Sequence, residues 1–150
     1  MWDYPRPPLL ERTSQRLRVV HAGAAIADTT SGWRVCETAG APVYYFPPGD
    51  VRREHLRATS RSSFCEWKGV ASYWDVVVGA GVVPAAAWSY PTPTESFAPI
   101  RDHLAFYARL MDECTVDGEA VTPQPGGFYG GWVTADVVGP FKGQPGTEGW

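Results

Sequence analysis

At 150 residues, 44% of them hydrophobic and seven of them Trp, the chain has the apolar material for one domain with its own core, which excludes a disordered segment. A formal charge of −3 and a pI near 5.5 exclude a general nucleic-acid binder, which would carry a basic stripe. No apolar run approaches the ~20 residues that span a bilayer, and the first residues lack the basic head and apolar core of a signal peptide. A reducing cytoplasm is therefore the expected setting, without nucleic-acid or membrane partners.

Residues 1–15 are Pro-rich and read as an extended arm. Residues 16–20 alternate, turn at His21-Ala22-Gly23 and return over 24–29, which predicts a hairpin with Gly at the tight position. Residues 33–38 predict a third strand, with Trp33, Val35 and Glu37 on one face. The short apolar run V-Y-Y-F stops at Pro47. Gly49-Asp50 then offers an N-cap, and residues 51–58 read as a short helix followed by a polar loop over 59–63.

Residues 64–75, F-C-E-W-K-G-V-A-S-Y-W-D, are the densest chemistry in the chain. They open with a turn broken at Gly69 and continue as the best strand, residues 70–78. Alternation puts Tyr73, Asp75 and Val77 on one face and Trp74, Val76 and Val78 on the other. Gly79-Ala80-Gly81 turns this strand into a second one over 82–90, and Asp117-Gly118 marks another hairpin turn. Residues 123–150 are rich in Gly, Pro and aromatics and read as an irregular segment wrapped across the body.

Several side chains are candidates for function. Cys65 is the candidate nucleophile, with Lys68 and Arg61 as the positive field a thiolate needs. Lys68 and Lys142 are the two lysines beside eleven arginines, and both follow an aromatic and precede Gly. An amine kept where Arg is otherwise used points to ammonium chemistry: a point charge for an anion, or a Schiff base. Tyr45, Tyr73, Trp88 and Tyr90 lie on strands at spacings that build an aromatic pocket wall, joined by Trp67 at the turn. Glu37 and Asp75 are acids where Val or Thr would suit a half-buried strand, so each needs a partner or a ligand. Ordinary core packing, a buried apolar Cys and structural ion pairs are the competing readings of the same residues. Cys36, Cys65 and Cys114 form no C-x-x-C, and His21, His55 and His103 have no ligand spacing, so neither metal nor cofactor is expected.

The blocks 65–74 (C-E-W-K-G-V-A-S-Y-W), 86–91 (A-A-W-S-Y-P), 42–47 (P-V-Y-Y-F-P), 103–107 (H-L-A-F-Y) and 139–143 (G-P-F-K-G) resemble the domain-of-unknown-function family numbered 427. That family also carries a nucleotidyltransferase-like name. The resemblance implies a mainly β domain of antiparallel sheets leaning together as a β-tent of the Mss4-like kind, or a partly open barrel, with one short helix near 50–58. It implies no established activity. Its wider group holds zinc through paired C-x-x-C, which this chain lacks.

The expectation is thus a single-domain β protein that binds a small polar molecule between aromatic walls, with Cys65 and Lys68 as the groups for any chemistry on it. The competing expectation is a non-catalytic interaction or structural module, and a homodimer is compatible with either.

Overall fold

The computed structural model describes residues 9–36, 41–65, 68–124 and 130–135. Thirteen strands run through it: β1 (Leu9–Arg12), β2 (Leu17–His21), β3 (Ala24–Thr29), β4 (Trp33–Cys36), β5 (Val43–Tyr45), β6 (Leu56–Cys65), β7 (Gly69–Val78), β8 (Gly81–Ser89), β9 (Ala105–Phe106), β10 (Glu113–Val116), β11 (Glu119–Ala120), β12 (Thr122–Pro123) and β13 (Trp132–Val133). They form antiparallel sheets ordered β1-β4-β5, β11-β10-β2-β3, β6-β7-β8-β9 and β12-β13. The fold is mainly β, and among the described residues the sheets do not close into a barrel.

Local chemistry sets the hairpins. Ala22-Gly23 and Asp117-Gly118 both take positive φ at both positions, 50° and 78° in the first, 50° and 83° in the second. That is the two-residue turn whose twist matches the flanking strands. Asp117-Gly118-Glu119 also has the spacing of a metal-holding acid pair. Asp117 Oδ1, however, accepts the Arg16 N–H at 2.8 Å, and Glu119 Oε2 accepts the Ala135 N–H at 2.7 Å. Both acids hold backbone.

Two sheets are linked by an antiparallel bridge at Phe46 and Leu104. Each donates its N–H to the other's carbonyl, at 2.8 and 2.9 Å, and so joins β5 to β9. Alternation along this seam feeds two cores. Tyr44, Phe46, Leu104 and Phe106 enter a first cluster with Leu17, Val19, Ile26, Val76 and Trp132. Val43, Tyr45, Ala105 and Tyr107 enter a second, with Val35, Ala71, Trp88 and Tyr90. A strand buried on both faces is apolar at every position, which is why V-Y-Y-F shows no alternation. Residues 130–135 are tied in by Trp132. It is 1% exposed, and its Nε1 donates to the Phe106 carbonyl at 3.0 Å.

The helix expected near 50–58 is absent. Two isolated 3-10 turns, Pro48–Asp50 and Arg53–His55, stand in its place, and residues 56–58 already belong to β6. The proposed cap is engaged elsewhere: Asp50 Oδ2 accepts the Thr29 hydroxyl at 2.6 Å. Between the turns Val51 bridges Ala27, and the Arg52 N–H reaches the Ile26 carbonyl. Val51 and Leu56, five residues apart, never made an apolar helical stripe, and sheet pairing overrides the local propensity. The polar loop expected over 59–63 is likewise part of β6, which pairs with β7 through Ser62↔Ser72 and Ser63↔Ala71.

Candidate functional site

The pairings Ser63↔Ala71, Cys65↔Gly69, Tyr73↔Trp88 and Trp88↔Ala105 place these residues in register on the β6–β9 sheet. The second core gathers Tyr45, Cys65, Tyr73, Trp88 and Tyr90 around Ala71 and Phe97. The residues singled out in the sequence therefore meet in space, although Tyr45, Trp88 and Tyr90 are at most 7% exposed and pack as core. Glu37 and Trp67 lie outside the described residues.

Lys68 is 7% exposed, with its Nζ 5.8 Å from the centre of the Phe97 ring. Its carbonyl accepts the Thr94 N–H at 3.1 Å. Gly69 sits at φ 105°, and a Cβ there would stand 3.3 Å from the Thr92 carbonyl oxygen. Only glycine lets the 91–94 segment lie this close. Burial pushes the Tyr90 phenol far above its ordinary value, Tyr45, Cys65 and Tyr73 add to the rise, and Lys68 opposes it. Cys65 is a half-buried free thiol; Cys36 and Cys114 are buried. Burial, with Glu113 adjoining, pushes the Cys114 thiol up to about 12, which keeps it protonated.

Asp75 has a structural position. Its Oδ1 accepts the Ala85 N–H at 2.9 Å and its Oδ2 takes an Arg57 N–H at 3.0 Å. Ala85 stands at φ 50° where the β7–β8 register shifts, so the carboxylate fills the backbone vacancy of a bulge. The Ala85 N–H, and then Arg57 and Arg61, hold the carboxyl below its ordinary range against the opposing effect of burial.

Beside this bulge opens a cleft of about 550 Å³. Ser62, Ser63 and Arg61 come from β6, Tyr73 from β7, Pro84 and Ala85 from β8, and Tyr107, Arg109 and Leu110 from the segment after β9. A second bulge, between Ala58 and Ser62, aims the β6 residues. Thr59 fixes it, donating its hydroxyl to the Tyr73 carbonyl at 2.8 Å and accepting the Arg61 N–H at 3.1 Å. Irregular pairing thus flanks β7 on both sides where the cleft lies, the kind of place where bulges re-aim side chains.

A run of hydroxyls crosses the cleft. Ser63 Oγ lies 2.9 Å from the Tyr73 hydroxyl, and Tyr107 is the next phenol along the wall. Burial first, then the neighbouring Tyr73, pushes the Tyr107 phenol up to about 12. The Tyr107 ring packs on Trp88, with centroids 4.5 Å apart, and the Arg109 guanidinium lies over it at 5.2 Å. The buried aromatic core thereby supports the wall of the open cleft. Tyr73 and Arg61 are the residues the sequence reading and the cleft share directly, Tyr73 as a pocket wall and Arg61 as part of the positive field expected around Cys65. Ser63, Tyr107 and Arg109 were not singled out. The H-L-A-F-Y block ends on Tyr107, but nothing in spacing marks its hydroxyl.

Among the described residues no three His, Cys, Asp or Glu side chains converge on a point that could hold a metal, and none of the helical turns is long and apolar enough to cross a membrane. No curated protein matches the chain. Residues 9–117, which carry the second core, the buried residues of the first core other than Trp132, the Lys68 turn and every described residue lining the cleft, match the family NTP_transf_9, described as a domain of unknown function (DUF427), and the chain belongs to that family.

Proposed function

We propose that this chain is a small-molecule-binding protein of a reducing, cytoplasm-like compartment, and that its ligand lies in the cleft walled by Tyr73 and Tyr107. The observation that carries the reading is the double interruption of β7. Two bulges, one fixed by Thr59 and one by Asp75, open a cleft inside an otherwise regular sheet. Its volume is within the range of ordinary ligand sites, roughly 300–1,000 Å³. Tyr45, Trp88 and Tyr90 form the layer that keeps the wall rigid. Cys65 lies two residues from Ser63 on β6, about 7 Å along the strand, and Lys68 lies just beyond. In this reading they are the groups that would carry chemistry on a bound molecule.

A second reading has one observation in its favour. Phe64, 75% exposed, pairs across to Val70 of β7, 46% exposed, and β6 is an edge strand among the described residues. Such a patch suits a protein partner or a second copy.

One experiment separates the two. A panel of small fragments, screened by two-dimensional NMR on the full chain, is expected to move the resonances of Ser63, Tyr73, Ala85 and Tyr107. A screen in which no fragment moves them, while dilution alone shifts Phe64 and Val70, would replace ligand binding by self-association.

A further inference from the structure

We infer that two copies of this chain pair edge to edge through the end of β6, antiparallel, with the two-fold axis at Phe64 and the Phe64 rings of both copies side by side. This interface is independent of ligand binding in the cleft. Phe64 is 75% exposed, Ser62 is exposed beside it, and Val70, paired with Phe64 across β7, is 46% exposed. Directly paired residues share a face, so Phe64 and Val70 form one apolar spot on the open end of the hairpin. β6 ends its sheet among the described residues, and the outer backbone groups of such a strand are a template for another. Edge strands are ordinarily guarded by charges and bulges. β6 has both, but only in its first part: Arg57 and Arg61 are exposed, and the pairing with β7 shifts between Ala58 and Ser62. From Ser62 to Cys65 the pairing is regular and the residues S-S-F-C carry no charge. The guard stops just before the exposed ring.

A second copy is the occupant this edge fits. In two identical antiparallel strands with a two-fold axis through one residue, positions equally far from the axis on either side oppose each other. Their separation is always even, so outward N–H and C=O groups meet in phase and like faces stay on one side. With the axis at Phe64, the two rings form a cross-strand aromatic pair, and Val70 and Phe64 of both copies make one apolar row across four strands. The two Arg61 side chains then start six residues apart along the strand, about 20 Å, so like charges do not meet. Moving the axis to Ser63 would set each Phe64 against Ser62 and lose the aromatic pair. The axis at Phe64 also sets Cys65 of the second copy opposite Ser63, whose Oγ meets the Tyr73 hydroxyl at 2.9 Å. The second copy thereby brings a thiol to the margin of the cleft. So short a pairing buries less than the roughly 1,200 Å² of a stable interface, which makes the dimer weak and concentration-dependent.

The test is sedimentation equilibrium of the full chain in reducing buffer, from roughly 10 μM to 1 mM, where a monomer–dimer equilibrium is expected. Phe64→Lys should weaken the dimer at least about tenfold. It should leave the melting temperature of dilute protein unchanged, because the side chain it replaces is 75% exposed. The register is read by cross-linking in a Cys65→Ser background, in which the remaining thiols, Cys36 and Cys114, are buried. Phe64→Cys sets two thiols on residues about 4.5–5.5 Å apart at Cα, within disulfide reach, so mild oxidation should give a covalent dimer. Ser62→Cys sets them four residues apart along the strand, about 13 Å, and should cross-link at least about tenfold more slowly. A chain that stays monomeric over the whole range overturns the inference and leaves the patch to an unlike partner. A dimer that Phe64→Lys does not weaken overturns it by placing the interface elsewhere. Ser62→Cys cross-linking as fast as Phe64→Cys overturns the axis at Phe64 and the aromatic pair with it.

Discussion

The turn at Lys68 and the cleft at Tyr73 belong to the same pair of strands, yet they treat their polar groups in opposite ways. At the turn everything closes. Lys68 is 7% exposed over Phe97, and the 91–94 segment lies against Gly69. At the cleft the pairing of β7 breaks on both sides, and the exposed side chains of Arg61 and Arg109 line an opening beside the hydrogen-bonded Ser63 and Tyr73 hydroxyls. The W-K-G turn dominates the sequence, while the cleft is barely visible there. A dense cluster of unusual residues can mark the place where packing is most demanding, with the open chemistry a few residues away.

The largest effect should come from the closed end. Gly69→Ala places a side chain at φ 105° and 3.3 Å from the Thr92 carbonyl. Strain of this kind costs roughly 1–3 kcal/mol, read as a lower urea midpoint at unchanged slope. Ligand titrations at the cleft should be unaffected, because the strain falls on the 91–94 contact. If Gly69→Ala abolished cleft binding without loss of stability, the two ends would be one site and the contrast between them would fail.

A middle-sized effect is expected from Tyr73→Phe, which removes the hydroxyl partner of Ser63 and the polar neighbour that raises the Tyr107 phenol. The loss of stability should be about 1 kcal/mol near neutral pH. The change in pH dependence is more diagnostic. Tyr107 has a folded-state pKa raised to about 12, so its contribution is fully present below the ordinary tyrosine value near 10 and is lost as pH rises from there to about 12. Burial is the main cause of that rise and Tyr73 the next. The variant should therefore keep most of the alkaline loss and complete it at a lower pH, measured as denaturation midpoints between pH 9 and about 12. An unchanged alkaline profile would disconnect Tyr107 from Tyr73.

The legibility of this chain follows the same division. Hairpins at Ala22-Gly23 and Asp117-Gly118, and the strand 70–78, were readable because positive-φ turns and strict alternation are local facts. The grouping of Tyr45, Tyr73, Trp88 and Tyr90 was readable because apolar rings on strands must share a face. The helix at 51–58 was misread because Asp50 looks like a cap until Thr29 is brought to it from 21 residues away. Tyr107 and Arg109 escaped notice for a related reason. Their role depends on a bulge in β6 and another at Ala85, and a bulge is set by what pairs across a sheet, which local spacing does not encode. Asp75 reads in sequence as an acid that needs a partner or a ligand; in the structure its oxygens accept a backbone N–H of its own sheet and an Arg57 N–H.

That partner makes Asp75→Asn the smallest and most discriminating change. The amide keeps an oxygen to accept the Ala85 N–H and loses only the charge toward Arg57, whose side chain is 60% exposed. An exposed pair of this kind contributes about 0–1 kcal/mol. The sign of the pH effect is fixed by the lowered folded-state pKa: the carboxylate's contribution is present above its ordinary value, about 3.9, and is lost as pH falls through the folded value. Asp75→Asn should therefore lose its small deficit in acid, and the two proteins should converge at low pH in denaturation midpoints. A ligand-holding acid behaves otherwise, since its amide variant would match the parent in stability and fail in binding.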